Sequence, residues 1–349
     1  MSATPFSPGA KRLSQMLVTL AQSGFTLVLT LLGLLVITFS LSALSPVDPV
    51  LQIVGDHASA STYQQVRHQL GLDQPLVMQF WHYFVNLLHG DLGTASATGQ
   101  PVLQDLFSAF PATLELATLS LIVGAVVGIL CGVLCARYAG SFFDTVIRTL
   151  TLLGNSVPIF WLGLLMLSLF YARLQWSAGP GRLDDIYQYS VEPRTGFALI
   201  DTWLSGDPEA FRNALSHLVL PVSLLGYYAL ASITRLTRAA CLSELGKEYI
   251  TLARAKGASE MTILWRHVLP NIRGTLLTVL ALVWTSQLEG AVLTETVFSW
   301  PGIGRYLTTA LFAGDTKAIM GGTLVIGICF VLINNLTDVL VRVTDPRTH

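Results

Sequence analysis

Residues 244–271 have the sequence ELGKEYITLARAKGASEMTILWRHVLPN, a hydrophilic and basic stretch between two apolar runs that are each long enough to cross a lipid bilayer. The rest of the chain is strongly apolar. Of its 349 residues, 52% are hydrophobic and 12% are charged, whereas about 25% of the residues of a soluble domain are charged. This composition predicts an integral membrane protein in which residues 244–271 form an insert outside the bilayer.

Six segments have the roughly 20 mostly apolar residues that a helix needs to cross the hydrocarbon core of a membrane. Backbone groups find no hydrogen-bond partners in lipid, so these segments are expected to be helical. A single segment of this kind could be a buried helix of a soluble protein, but six in one chain favour an all-α membrane protein with six transmembrane helices. The predicted spans are residues 24–44, 116–136, 149–172, 215–234, 275–297 and 318–341.

The positions of lysine and arginine predict the orientation, because basic residues are retained on the cytoplasmic side of a membrane. With the N-terminus in the cytoplasm, most basic residues fall inside, including the whole cluster within residues 235–274. Both termini are then cytoplasmic, with tails of residues 1–23 and 342–349. Two long segments, residues 45–113 and 173–212, are predicted to lie on the periplasmic side.

The first of these periplasmic segments has apolar residues at helical spacing between Val66 and Leu88. This spacing predicts amphipathic helices, which are interrupted at Gly71 and Pro75 because both residue types break helices.

No metal site is expected. Cys131 and Cys135 share a helix face, for which packing is a better interpretation than metal ligation. Four histidines of the first periplasmic segment match no compact ligand spacing; they are His57, His68, His82 and His89.

The insert predicts two short helices joined at a glycine. Residues 244–256 are rich in helix formers. Ala253 and Gly257 lie one turn apart on a single face. Two small residues at that spacing let a partner surface approach the backbone closely.

After this glycine, Ser259 has the character of a helix N-cap. A second helix is predicted over residues 260–269 and is expected to stop at Pro270, which cannot continue the hydrogen-bond ladder. Composition alone is equally compatible with an ordinary basic cytoplasmic loop.

The order of residues in the insert resembles the EAA loop of binding-protein-dependent ABC importers. In this sequence the pattern consists of Thr251, Leu252, Ala253, then Gly257, and finally Leu269 and Pro270. It departs from the general pattern at Thr251, where glutamate is expected, and at His267, where an aliphatic residue is usual. The variant EYITLARAKGAS is similar to the form found in the dipeptide and oligopeptide branch of the family.

Other motifs along nearly the whole chain resemble the same branch. Each is weak alone, whereas their joint order is specific. They are SPVDP (45–49), in which Val47 replaces a glycine, LGLDQPL (70–76), HGDLG (89–93), PATLELA (111–117), PIFWLG (158–163), GFALID (196–201), ETVFSWPGIGR (295–305) and DPR (345–347).

This resemblance implies the fold of a type I ABC importer permease in the bacterial inner membrane, coupled through the insert to a cytoplasmic ATPase. The expected partners are a second, different permease, two ATPase subunits, a periplasmic or lipid-anchored solute-binding protein and membrane lipid, but no nucleic acid. The coupling residues would be Thr251, Leu252, Ala253, Arg254, Ala255, Lys256, Gly257, Ala258 and Ser259.

The sequence contains no glycine-rich loop that ends in Gly-Lys-Ser or Gly-Lys-Thr, so the phosphate-binding backbone of an ATPase must come from a partner. We therefore expect this chain to bind no cofactor and to catalyse no reaction, with ATP and Mg²⁺ held by the ATPase subunits. A membrane enzyme is disfavoured because its histidine, serine and acidic residues form no recognisable catalytic constellation.

Cargo contacts are expected among polar residues at membrane depth, where an ionisable side chain costs about 2.5–3.5 kcal/mol. Glu289, with Trp284 and Gln287 nearby, is a candidate partner for a peptide ammonium group. Contact of Glu289 with the second permease is the equally weighted alternative. Asn155 is a further candidate for the path, although a structural kink near Pro158 is the preferred interpretation of that site.

Glu295 and Trp300 lie near the outer end of the fifth predicted span. They are candidates for residues that fix the geometry of an outer gate.

The branch that this chain resembles carries dipeptides, longer peptides, cationic peptides or polyamines, haem precursors and nickel chelates. The GFALID segment is closest to that of the dipeptide-type permeases, so di- and oligopeptides are the expected cargo. A stand-alone secondary transporter is the alternative from a different class. It would favour inverted repeats, and the sequence shows no convincing internal repeat.

Overall fold

Helices make up nearly all regular structure in the residues that the computed structural model describes, which are 8–44, 48–55 and 57–344. The prediction of an all-α protein is confirmed. Along these ranges the helices are α1 (Pro8–Ala43), α2 (Pro49–Val54), α3 (Ala60–Gln69), α4 (Leu76–Leu88), α5 (Val102–Arg137), α6 (Phe142–Ser156), α7 (Ile159–Met166), α8 (Asp185–Gln188), α9 (Ala198–Leu204), α10 (Pro208–Leu245), α11 (Glu248–Ala255), α12 (Glu260–Thr262), α13 (Leu269–Val297), α14 (Ile303–Ala313) and α15 (Thr316–Thr344). Two π-helical segments, Leu167–Arg173 and Ile263–Val268, follow α7 and α12.

Within the described residues, four helices are long and apolar enough to cross a membrane, namely Val102–Arg137, Pro208–Leu245, Glu260–Val297 and Thr316–Asn335. The pair α6 and α7 makes a fifth candidate if it is counted as one span. A shorter apolar stretch, Gly24–Ser40, lies within α1.

The kink predicted near Pro158 is a bend of 104° between α6 and α7. A proline disfavours helical backbone at the residue before it. Val157 accordingly has an extended conformation, with φ −90° and ψ 133°. The predicted third span is therefore two helices that meet at a sharp angle.

The amphipathic helices predicted before α5 are confirmed as α3 and α4. The break between them contains Gly71, whose φ is +67°, and Pro75 immediately precedes α4. α4 contacts α1 through Phe80, whose ring meets that of Phe39 edge to face at 5.2 Å. Val47 and the DPR motif lie outside the residues that the structure describes.

The chain divides into two compact units. In the first, Met1–Leu103 with Ala310–Leu336, Asp315 caps the start of α15 by accepting the N–H of Ala318 at 3.1 Å. The same carboxylate accepts the N–H of Ser96 in the turn before α5. One acidic side chain thus fastens the start of α15 to that turn.

The second unit, Gln104–Thr309 with Thr337–His349, contains a very close contact between α5 and α10. A Cβ atom added at Gly124 would lie 2.8 Å from the carbonyl oxygen of Gly226, and one added at Gly132 would lie 2.9 Å from that of Thr234. Small residues matter here because apolar helices gain little from hydrophobic burial in lipid and depend on close packing. Three glycines of α5 at four-residue spacing face α10, namely Gly124, Gly128 and Gly132.

Replacing Gly124 with leucine is expected to destabilise the second unit by about 3 kcal/mol, because the added side chain must push the α10 backbone away. Thermal unfolding of the purified chain in detergent should show a lower melting temperature than that of the wild type. Gly33→Leu is the matched control, since a Cβ atom at Gly33 of α1 has no neighbour within 4 Å. Equal melting temperatures for Gly124→Leu and Gly33→Leu would contradict the close contact.

Candidate functional site

The run of helix formers at residues 244–256 is divided between two helices. α10 continues to Leu245, so the first helix of the insert starts after that residue. Glu244 is buried in the last turn of α10. Lys247 then has an extended conformation, with φ −80° and ψ 149°, and α11 begins at Glu248. We call residues 248–271 the elbow.

The first helix of the elbow ends in a glycine with left-handed backbone. Gly257 has φ +83°. Its N–H donates to the carbonyl of Arg254 at 2.9 Å, and the N–H of Ala258 donates to the carbonyl of Ala253 at 3.1 Å. These two hydrogen bonds form a Schellman motif, which closes the end of α11. A Cβ atom at position 257 would have no neighbour within 4 Å, so this part of the backbone is open to another molecule.

The second half of the elbow starts at the predicted N-cap. Ser259 accepts the N–H of Thr262 at 3.2 Å. Arg254 joins the two halves, because its guanidinium donates hydrogen bonds of 2.9 and 3.3 Å to the carboxylate of Glu260. This bonding raises the pKa of the Arg254 guanidinium above its ordinary value. Since the pair is partly exposed, it contributes little stability and mainly fixes the angle between the two halves.

The second helix of the elbow does not stop at Pro270, contrary to the prediction. The π-helical segment Ile263–Val268 connects α12 directly to α13, and Pro270 falls in the first turn of α13. Proline has no N–H to donate to a helical hydrogen bond. The change from π-helical to α-helical hydrogen bonding at this point accommodates that missing donor within a continuous helix. The elbow therefore passes without a break into the long helix α13.

The inner face of the elbow packs against the long helices. Ile250, Ile263, Leu264 and Val268 are buried there. They form one apolar cluster with side chains of α5, α10 and α13, namely Val133, Ala136, Cys241, Ile272 and Leu276. Ala253 and Ala258 lie at the edge of this cluster and are half-buried.

The outer face of the elbow is exposed and partly apolar. Leu252, Met261 and Trp265 are 57%, 52% and 50% exposed. Exposed apolar side chains on a hydrophilic segment suit contact with another protein. The predicted coupling residues that are exposed with them are Thr251, Leu252, Arg254, Ala255, Lys256, Gly257 and Ser259.

Polar contacts fasten the elbow to the ends of its flanking helices. The Glu244 carboxylate of α10 pairs with Lys247 at 2.6 Å and accepts the hydroxyl of Tyr249 at 2.7 Å. The amide of Asn271, in α13, donates to the same hydroxyl at 3.0 Å. Tyr249 thus links the end of α10 to the start of α13.

A buried ion pair lies beside the apolar cluster. The Nε and Nη2 atoms of Arg238 each donate to the Asp144 carboxylate at 2.7 Å. Asp144 is fully buried at the start of α6 and also accepts the N–H of Gly140 at 3.0 Å. The pair therefore connects α6 to α10, two turns before the end of that helix.

A cleft of about 480 Å³ opens between α6, α7, α10 and α13. Three of the four predicted path residues, Asn155, Gln287 and Glu289, line it, whereas Trp284 does not. Gln287 is nearly buried, and its amide nitrogen donates to the Leu225 carbonyl of α10 at 2.9 Å. Asn155 and Glu289 are both exposed. Any contact of these residues with cargo stays a prediction.

The bend at Pro158 borders this cleft, and a tyrosine of α10 bonds to its backbone. The hydroxyl of Tyr228 donates to the Val157 carbonyl at 2.5 Å. The neighbouring Tyr227 donates to the Leu150 carbonyl within α6 at 2.6 Å. Non-helical backbone at membrane depth is stable only with such partners or beside a polar cavity.

Glu295 and Trp300 organise the turn after α13. One Glu295 oxygen accepts the N–H groups of Gly304 and Arg305 at 2.7 and 3.2 Å, in the first turn of α14. Trp300 is fully buried, and its indole N–H donates to the Ala112 carbonyl of α5 at 2.9 Å. These contacts fix the turn between α13 and α14. A role in gating remains a prediction.

Two models of one protein family cover most of the chain. Residues 128–349 match the binding-protein-dependent transport system inner membrane component, and residues 16–117 match the N-terminal part of such a membrane component. The chain belongs to this family. It is the membrane permease of an ABC importer, located in the inner membrane of a bacterium.

Similar curated proteins match over nearly their whole length. The permease is 44% identical to the probable D,D-dipeptide transport system permease protein DdpB of Escherichia coli K12. The alignment covers 94% of this chain and 96% of that protein. It is 40% identical to the di/tripeptide permease DppB of Pseudomonas aeruginosa, over 92% of this chain and 95% of that protein.

A solved structure shows the same fold. The permease resembles a chain of the MetNI methionine ABC transporter in an inward-facing conformation, with a TM-score of 0.52 and 19% sequence identity. The match covers 70% of this permease and 97% of that chain.

Glu115 organises part of the permease, although nothing in the sequence marked it for this role. Glu115, in the PATLELA motif, is buried and accepts hydrogen bonds from Arg182 at 3.1 Å and from the N–H of Leu199 at 2.9 Å. The Arg182 guanidinium also lies over the Trp300 ring, 5.6 Å from its centre. An acid beside an apolar run is a signal that a partner is needed, but the sequence does not identify a partner 67 residues away.

Replacing Asp144 with asparagine is expected to destabilise the permease by about 3 kcal/mol, because it leaves the Arg238 charge mostly buried without a counter-charge. Glu192→Gln is the control, since its pair with Arg194 is exposed and such pairs contribute about 0–1 kcal/mol. Thermal unfolding in detergent should separate the two variants clearly. Identical melting temperatures would show that the buried pair does not hold α6 to α10.

Proposed function

We propose that this chain is one of the two membrane subunits of an ATP-driven importer of di- and oligopeptides, and that the elbow receives the movement of a cytoplasmic ATPase. The observation that carries the proposal is the two-faced elbow. Its inner face is buried against α5, α10 and α13, whereas its outer side presents exposed backbone at Gly257 and the exposed apolar side chains of Leu252 and Trp265.

The same geometry gives a route for force. The elbow joins α10 directly to α13, and both helices line the cleft that contains Glu289. A push on the outer face of the elbow would therefore move two walls of the cleft together. The buried Asp144–Arg238 pair would pass part of this movement to α6, which lines the cleft through Asn155.

The proposed topology has six transmembrane helices, with both termini in the cytoplasm. Support comes from the four long apolar helices, the bent pair α6–α7 and the apolar stretch of α1. The basic residues of the elbow and its flanks suit the cytoplasmic side. The proposed spans are residues 24–44, 116–136, 149–172, 215–234, 275–297 and 318–341.

The proposed assembly contains this permease, a second and different permease, two ATPase subunits and a solute-binding protein. ATP and Mg²⁺ would be bound by the ATPase subunits, so that this chain transmits force without catalysing a reaction. The binding-protein-dependent character of the family supports this assignment.

The proposed cargo follows from the relatives, which are described as permeases for D,D-dipeptides, dipeptides and di/tripeptides. Reconstitution of the whole transporter in liposomes tests it. ATP-dependent uptake of a labelled dipeptide is expected. Uptake driven by a proton gradient without ATP would contradict the proposal and favour a stand-alone secondary transporter.

Replacing Gly257 with leucine is expected to leave the transporter assembled but to reduce ATP-driven peptide uptake strongly, because a side chain there blocks close approach to the backbone. ATP hydrolysis and peptide uptake are measured in the same liposomes, and the amount of peptide taken up per ATP hydrolysed should fall.

Gly206→Leu is the matched control for backbone strain, because Gly206 also has positive φ (+72°) and no neighbour within 4 Å of an added Cβ atom. Normal uptake is expected with Gly206→Leu. Wild-type uptake with Gly257→Leu would contradict the assigned contact.

A further inference from the structure

The cleft between α6, α7, α10 and α13 has an unusual electrostatic character for a site at membrane depth. Among the residues that line it, Glu289 alone carries an acidic group, and none is basic. The neighbouring polar groups are the amides of Asn155 and Gln287 and the hydroxyls of Tyr228, Ser232 and Ser286. The cleft therefore offers hydrogen-bond acceptors and one acid, but no cation.

Glu289 differs from three other acids of the span-forming helices. Glu115, Asp144 and Glu295 are buried, and each accepts hydrogen bonds from donors within this chain. The Glu289 side chain is exposed to the cleft and has no ion-pair or hydrogen-bond partner among the described residues. An acid in a membrane span normally pairs with a cation or faces a water-filled path. Glu289 faces an open cleft and has no cationic side chain beside it in the part of the chain that the structure describes, so a ligand could supply the cation.

The amide of Asn155 is similarly available. It lies at the end of α6, is exposed, and makes no side-chain hydrogen bond to another described residue. It lines the cleft just before the bend at Pro158. A carboxylate and an amide oxygen are acceptors that suit a primary ammonium group, which has three N–H donors.

We propose that this cleft is a transient site for the amino-terminal ammonium group of the peptide in transit, with Glu289 as its counter-charge and Asn155 as a second acceptor. This inference rests on the proposed import of peptides. The cleft contains no basic side chain for the peptide's carboxylate, so it holds one end of the peptide only. A diamine also carries an ammonium group, so the experiment compares a peptide with a diamine as cargo.

The test uses the complete transporter in liposomes, with labelled dialanine and labelled 1,4-diaminobutane as separate cargoes. Glu289→Gln is expected to lower dialanine uptake about tenfold, the effect of losing one charge-assisted hydrogen bond. Co-purification of all subunits and stimulation of ATP hydrolysis by the binding protein should stay unchanged. Glu289→Asp, which keeps the charge, should restore most of the uptake.

Glu209→Gln is the matched control, because Glu209 is an exposed acid at the outer start of α10 and does not line the cleft. Its dialanine uptake should equal that of the wild type. A similar loss in both variants would overturn the assignment.

Three further results would also overturn it. Wild-type dialanine uptake by Glu289→Gln would remove the site while leaving peptide import intact. Loss of the second permease from Glu289→Gln would make Glu289 a subunit contact. A loss confined to diaminobutane uptake would assign the site to polyamines. Absence of dialanine uptake by the wild-type transporter would instead refute peptide import itself, and the site with it.

Discussion

Four buried side chains on the inner face of the elbow, Ile250, Ile263, Leu264 and Val268, hold it against the long helices. Each buried aliphatic side chain of this size contributes about 1.5–3 kcal/mol. The exposed Arg254–Glu260 pair contributes far less, so apolar burial is what makes the elbow a rigid body. A loop attached only by its two ends could bend without moving the helices, whereas this one must move with them.

A second constraint is the cost of leaving a polar group without a partner at membrane depth, and it explains where the polar groups of the long helices lie. Asp144 and Glu115 receive hydrogen bonds from residues 94 and 83 positions away. Glu295 receives them from the first turn of α14, which follows its own helix. Each acid therefore joins two elements. Tyr228 and Gln287 do the same for backbone carbonyls beside the cleft. Since an unpartnered polar group is expensive at membrane depth, these contacts allow few alternative packings.

Local features of the chain were predictable from sequence, because they depend on neighbouring residues. The N-cap at Ser259, the left-handed glycine at 257 and the bend at Pro158 all follow from the conformational preferences of single residues. The same reasoning failed at Pro270, where a π-helical segment brings the proline into the first turn of α13.

Long-range partners were not predictable, because periodicity contains no information about pairing. Arg238 is 94 residues from Asp144, and no local pattern marks them as partners. The glycines of α5 were also missed as a contact surface, although their four-residue spacing is visible in the sequence. The cleft could be anticipated only in part: the sequence indicated Asn155 and Glu289 separately, and the fold brings them to one cavity.

Coupling requires that the outer face of the elbow contacts an ATPase inside the cell. Cysteine cross-linking in membrane vesicles can detect this contact, with Ala255→Cys in a chain whose four native cysteines are replaced and Glu192→Cys as the control outside the elbow. We expect Ala255→Cys to form a cross-link to an ATPase subunit and Glu192→Cys to form none. Labelling of Ala255→Cys by a membrane-impermeant thiol reagent added outside intact cells, without a cross-link to the ATPase, would contradict this contact.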